Sequence, residues 1–265
     1  MESLLILTNV ASAVAGAILQ YVISSYLWPN RHRLYTWWFS LRNHAKLGVP
    51  CQCEIMLKRD GYFLGFNPKM KSAAWVCYMV SKRSVGINLD RGERFYPDPD
   101  IPAPYRIKPE EFTNSGYDKG HLAPSAAIDF SRRSNDQTFA MSNVVLQHPK
   151  LNRQALKRLE ELIREWTHTK GVLSITCGPL YNKRPRRIND IPIPSGFFNV
   201  IYSLKYKQAI AFIFPNDAVT ASELWNYAIS VTQAEEETEY KFLSNLGRKG
   251  VKVKRHLDVA WWQKK

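Results

Sequence analysis

One stretch of this chain has an unbroken helical period: "LNRQALKRLEELIREW", residues 151–166, where Ala155, Leu156, Leu159, Leu162, Ile163 and Trp166 recur on one face. Around it lie short apolar runs closed by Gly, Pro or Asn, which is the pattern of strands. "CEIMLKRDGYFLGFN" reads as a hairpin turning at Asp60-Gly61, and "SAAWVCYMVSK" as a further strand of the same sheet. "GVLSITCGPLY", "GFFNVIYSLKY" and "QAIAFIFPN" supply three more. Residues 90–109 hold five prolines and little period, so they form an ordered loop or an extended crossing. "AEEETE" reads as a solvated helix face. One long helix among many short strands gives an α+β fold with a mostly antiparallel sheet.

The amino terminus follows a different rule. From Ser3 to Asn30 no residue is charged, and about 20 apolar residues suffice to cross a bilayer. Tyr21, Tyr26 and Trp28 gather at its end and Pro29 closes it, so residues 4–28 read as a single-pass membrane anchor, a transmembrane helix. Arg31, Arg33, Arg42 and Lys46 follow the span, which by the positive-inside rule turns the rest of the chain to the cytoplasm. A mitochondrial inner membrane facing the intermembrane space, or a periplasmic placement, is the alternative. The resulting division is an anchor at 1–28, a basic juxtamembrane segment at 29–50, a main domain at 51–246 and a basic C-terminal extension at 247–265.

The 265 residues carry 37 Lys+Arg against 23 Asp+Glu, a net charge of +14 that suits a polyanionic partner, nucleic acid or an anionic membrane face. Four cysteines at irregular spacing form neither a disulfide framework nor a zinc site and read as buried or free thiols. Of six histidines, His121 stands out in "SGYDKGHLAPSAAIDF". Downstream lie Asn143 in "SNVVLQ", Asn152 at the start of the long helix, and Glu160 and Arg164 at i, i+4 on one helix face. Asn152 is about 80° round the wheel from Glu160, so all three can look into one cleft. A neutral imidazole can take a proton from water, an amide and a carboxylate can hold a hard cation and its waters, and an arginine fork fits phosphate. That set suits hydrolysis of phosphodiesters. Asn152 also has the competing role of a helix N-cap. His32, His44, His148, His168 and His256 match no such pattern and read as surface residues.

Asp118-Lys119-Gly120-His121, Ser142-Asn143, Leu151-Asn152 and Leu159-Glu160 together resemble the DNA/RNA non-specific endonucleases of the ββα-metal (His-Me finger) superfamily, of the endonuclease G and Serratia nuclease type. The likeness runs more faintly from about residue 54 to 246. The resemblance implies a ββα-metal finger, His121 as general base, Asn152 as direct metal ligand and Glu160 holding metal-bound water. It implies that Arg164 binds the scissile phosphate and assists the leaving group, that Asn143 orients the imidazole or supports the metal site, and that Gln147 lines the cleft. Arg94, in "RFYPDP", resembles a phosphate-contacting arginine. Mg²⁺ is the implied cofactor, with Mn²⁺ as the alternative; DNA and also RNA are the implied substrates, and a homodimer is an implied assembly. The family usually has arginine where this chain has Lys119, which keeps the charge for catalysis and substrate binding but loses the bidentate fork. Two rival readings follow: a weakened or gated nucleic-acid-binding module, and a membrane interaction protein whose nuclease is switched on by assembly.

Overall fold

The computed structural model describes residues 44–82, 84, 85 and 94–264, together with Gly16, Gln20 and Tyr21. The anchor read over 1–28 otherwise lies outside the described residues, as does most of the juxtamembrane segment. Among the described residues no helix is long and apolar enough to cross a membrane.

Alternating apolar residues build one seven-stranded antiparallel sheet. Its members are β1 (Ile55–Lys58), β2 (Tyr62–Asn67), β3 (Ser72–Val80), β6 (Leu173–Leu180), β9 (Gly196–Ser203), β10 (Ala209–Pro215) and β11 (Ala228–Ile229), and they lie in that order across the sheet. Two small pairs stand apart: β4 (Asp118–His121) with β5 (Val144–Gln147), and β7 (Arg187–Ile188) with β8 (Ile191–Pro192). The hairpin turning at Asp60-Gly61 forms as its sequence predicts, pairing Lys58 with Phe63. The helices are α1 (Arg132–Gln137), α2 (Lys157–Thr169), α3 (Val231–Thr238), α4 (Arg248–Arg255) and α5 (Val259–Gln263).

Successive side chains of a strand point to opposite faces, so the sheet separates two cores. One holds Leu64, Val76, Tyr78, Ile175, Ile201 and Phe212, covered by Leu159, Ile163 and Trp166 of α2. The other holds Phe63, Trp75, Cys77, Val200 and Tyr202, covered by Val231 and Ala234 of α3 and by Phe242 and Leu243. Between β3 and β6 the chain leaves the sheet, and this excursion carries β4, β5 and α2.

One expectation changes here. His44 is not on the surface: it is 2% exposed, accepts the Met79 N–H at Nδ1 and donates from Nε2 to the Asp60 carbonyl. A surface reading missed it because its partners are backbone groups, which leave no mark in a side-chain pattern. The basic C-terminal extension packs onto the rest of the fold over residues 247–264. Trp262 is fully buried against Trp166 at a centroid distance of 4.7 Å, and Lys170 Nζ donates to the Lys264 carbonyl. The basic residues in front of the tail hide two tryptophans that complete the core beside α2. The cysteines are free, with Cys77 and Cys177 buried, as read.

Candidate active site

The "DKGH" segment is strand β4, pairing with β5 so that Asp118 faces Gln147 and His121 faces Val144. Directly opposed residues share a face, and so do alternate ones. Lys119 and His121 therefore lie on one side, Asp118, Gly120 and Gln147 on the other. Gly120 is obligatory for a steric reason: a Cβ there would meet Gln147 Cδ at 2.0 Å. The glycine lets the Gln147 amide fold across the strand.

The loop after His121 is tied down from within. Asn143 is fully buried, accepts the Ala123 N–H at Oδ1 (2.9 Å), and donates from Nδ2 to the carbonyls of Ala123 and Thr138, both at 2.9 Å. The Leu122 N–H also donates to the Asn143 carbonyl. Asn143 thus fixes the backbone on which His121 stands, and its amide is spent on that backbone rather than on the imidazole ring.

The helix that follows begins as a wide π-helical turn, Leu151–Leu156, and tightens into α2. Such turns are rare and cluster at functional positions. Asn152 lies in this turn and does not cap the helix. Its Nδ2 donates to Asp118 Oδ2 at 2.9 Å, and Arg153 forks onto the same carboxylate at 2.9 and 2.7 Å. Burial works against the charged form of Asp118, but the hydrogen bonds from Arg153 and Asn152 outweigh it and hold the carboxyl below its usual value. A carboxylate only accepts, so the Asn152 amide must present Nδ2 to Asp118 and Oδ1 elsewhere.

His121, Asn152, Glu160 and Arg164 line one open cleft of about 1200 Å³, together with Arg153, Lys157, Ser125 and Phe139. Arg164 Nη1 is buried and makes no hydrogen bond within the described chain. The cleft thus brings together four of the site residues read from sequence. The others are placed differently. Lys119 is half-buried, with Nζ 5.9 Å from the centre of the Phe95 ring. Arg94 is exposed, one position before that ring. Gln147 is 2% exposed; it packs against Gly120 and lines a small hollow beside the cleft together with Tyr78, Asn199, His121 and Glu160. It shares the strand face of Asp118 and Gly120.

Asp118, Arg153 and Lys157 are the residues that sequence reasoning left out of the site. Asp118 stood in the motif itself. The available signal was its odd, three-residue separation from His121, which in a strand puts it on the opposite face of β4. Among the described residues no three His, Cys, Asp or Glu side chains come together as a metal cluster. The donors on offer are oxygens, one amide and one carboxylate. That is a set suited to a hard cation that keeps most of its waters.

Residues 42–249 match the model of a family described as DNA/RNA non-specific endonuclease. A nuclease of Nostoc sp. is 30% identical over 227 residues, covering 78% of this chain and 82% of its own. Human mitochondrial endonuclease G is 27% identical over 219 residues, covering 76% and 73%. A crystal structure of the EndoG/EndoGI complex superposes with a TM-score of 0.72 at 24% identity, over 79% of this chain and 93% of that one. With that fold and that match across most of its length, the chain belongs to the DNA/RNA non-specific endonuclease family, and is an endonuclease that hydrolyses phosphodiester bonds.

Proposed function

We propose that this protein is a divalent-metal-dependent nuclease that cuts DNA, and also RNA, with little sequence preference. The observation that carries the reading is the single cleft shared by His121, Asn152, Glu160 and Arg164. His121 is the general base: it takes a proton from water as the water oxygen bonds to phosphorus and the bond to the 3′ oxygen breaks. That leaves the 5′-phosphate ends the family resemblance implies. Arg164 pairs with the non-bridging oxygens, for which its buried Nη1 is a ready donor. Asn152 Oδ1 would hold the cation, Mg²⁺ or Mn²⁺, and Glu160 its bound waters. When bound, that cation stabilises the negative charge developing on the leaving oxygen. Lys119, Arg94 and Lys157 supply diffuse positive charge along the strand path.

The chain's uncharged run from Ser3 to Asn30 supports a membrane anchor, so the enzyme is proposed to work tethered to a bilayer. The nuclease would then face the cytoplasm, the mitochondrial intermembrane space or the periplasm. Relatives named as mitochondrial favour the second. A homodimer is the proposed assembly, checked by light scattering of the detergent-solubilised chain.

The test is cleavage of plasmid DNA and of RNA by the full chain, with Mg²⁺ and with EDTA, in wild type and in His121→Ala. Cutting that needs the metal and disappears in the variant is the expected result. Equal cutting by both proteins overturns the assignment of the base.

A further inference from the structure

A buried ionic network lies away from the cleft, and no cleft residue accounts for it. Arg59, in the turn between β1 and β2, donates from Nη2 to both oxygens of Asp98 (2.7 and 2.6 Å) and from Nη1 to Asp100. Ser142 also donates to Asp98, whose side chain is 1% exposed. An ion pair taken so far out of water persists only where its geometry is satisfied, and it fixes whatever chain carries it. Here it fixes residues 94–100 against residues 139–142.

What those two segments present is a pair of rings. Tyr96 and Ala140 form an isolated parallel bridge, with the Tyr96 N–H donating to the Phe139 carbonyl (3.2 Å) and the Met141 N–H to the Tyr96 carbonyl (2.9 Å). One residue before each bridged position stands a phenylalanine. Phe95 and Phe139 meet at 5.5 Å and 63°, an edge-to-face corner. The His121 imidazole sits in that corner, 5.2 Å from Phe95 at 32° and 5.0 Å from Phe139 at 90°. These are the separations and angles aromatic pairs favour. Both phenyls flank the ring, so a turn about its Cβ–Cγ bond changes its contact with each. The outer face of Phe95 carries the Lys119 ammonium, so Lys119 braces the corner as well as charging it.

We propose that Phe95 and Phe139 are positioning residues for His121, and that the Arg59–Asp98–Ser142 network keeps their corner closed. This rests on the reading of His121 as the general base. The device answers a specific need: the Asn143 amide is spent on the loop backbone, and proton abstraction demands a fixed imidazole torsion.

The experiment uses the full chain with isotope-labelled histidine. In wild type the His121 ring protons are expected to resonate away from those of the exposed His168 and His256, because the ring currents of two phenyls act on them. Phe139→Leu and Phe95→Leu keep apolar bulk but remove the ring current and the flat wall. Each is expected to move the His121 signals towards the exposed histidines. Each should also lower kcat about 10–100-fold with KM held within about twofold, the mark of a misplaced reacting group. Phe139→Tyr keeps the flat wall and is expected to retain both the shift and the rate. Unmoved His121 signals in both leucine variants, or moved signals with unchanged kcat, overturn the proposal. Ser142→Ala touches neither ring; unmoved signals there remove the network from the device. Full activity in His121→Ala would instead sink the assignment of the base while leaving the ring-current result standing.

Discussion

A carboxylate accepts hydrogen bonds and cannot donate them, so Asp118 decides which end of the Asn152 amide reaches the cleft. Asp118→Ala frees the amide to rotate, and with Asn152 in its proposed role of metal ligand, activity at fixed Mg²⁺ should fall about 10–100-fold. Titrating metal tests this: saturating Mg²⁺ should recover part of the loss, and a loss wholly independent of metal would place Asp118 elsewhere in the mechanism. The folded carboxyl lies below its ordinary value, so this anchor is intact at neutral pH and is lost only as pH falls through that lowered value. Gly120→Ala should fail by collision with Gln147, and Gly120→Ala combined with Gln147→Ala should regain activity relative to the single change. Kinetics of the two variants side by side check it; no rescue means that the strand has another reason for glycine. At this scale His121, Asn152, Glu160 and Arg164 were legible in the sequence, since their offsets bring them to one cleft. The burial of Gln147 was not, because which face of a four-residue strand turns inward is set by the partner strand and by the core behind it.

The elements were read more surely than their ends. The strands from β1 to β3, β6, β9 and β10 and the long helix stand where their apolar patterns put them, because each buries one face and patterning is the direct record of that. The two-residue β11 left no pattern to read, and β4 was concealed by being polar throughout. The helix was seen, but not its opening π-helical turn, Leu151–Leu156, which widens the spacing where Asn152 must reach Asp118. The packing of the tail left little mark in the sequence because charge outnumbers its apolar residues, although Trp262 is fully buried against Trp166. Removing that indole should be costly: Trp262→Ala is expected to destabilise the domain by about 3–5 kcal/mol, the usual range for deleting a buried aromatic. Urea unfolding followed by circular dichroism would measure it, and a loss under about 1 kcal/mol would mean the tail is dispensable to the core.

Taken whole, the molecule is set against acid by one histidine. Burial, only partly offset by the hydrogen bond to Asp60, pulls the His44 pKa from 6.5 down to about 3. The unfolded chain therefore binds a proton between those values and the folded chain does not, so stability falls as pH drops from 6.5 towards 3. The integrated loss is at most roughly 4–5 kcal/mol at 1.36 kcal/mol per unit. Unfolding measured at about pH 7.5 and about pH 5 should show the decline, and His44→Gln should flatten it. The net charge of +14 predicts that KM for long nucleic acid rises steeply with salt while kcat does not. A KM indifferent to salt would argue that the surplus charge faces something other than substrate.

The position of the site between β3 and β6 has a kinetic consequence. These strands are neighbours in the sheet, yet Val76 pairs with Cys177 about a hundred positions along the chain. The sheet cannot close by adding one hairpin to the next, since that seam must wait for the whole excursion to collapse. Closing so long a loop costs entropy that only compact local structure within it can reduce. The β4–β5 pair and α2 supply that structure from within a short span. The part of the chain that carries the candidate site is thus also the part whose order the closing of the sheet depends on.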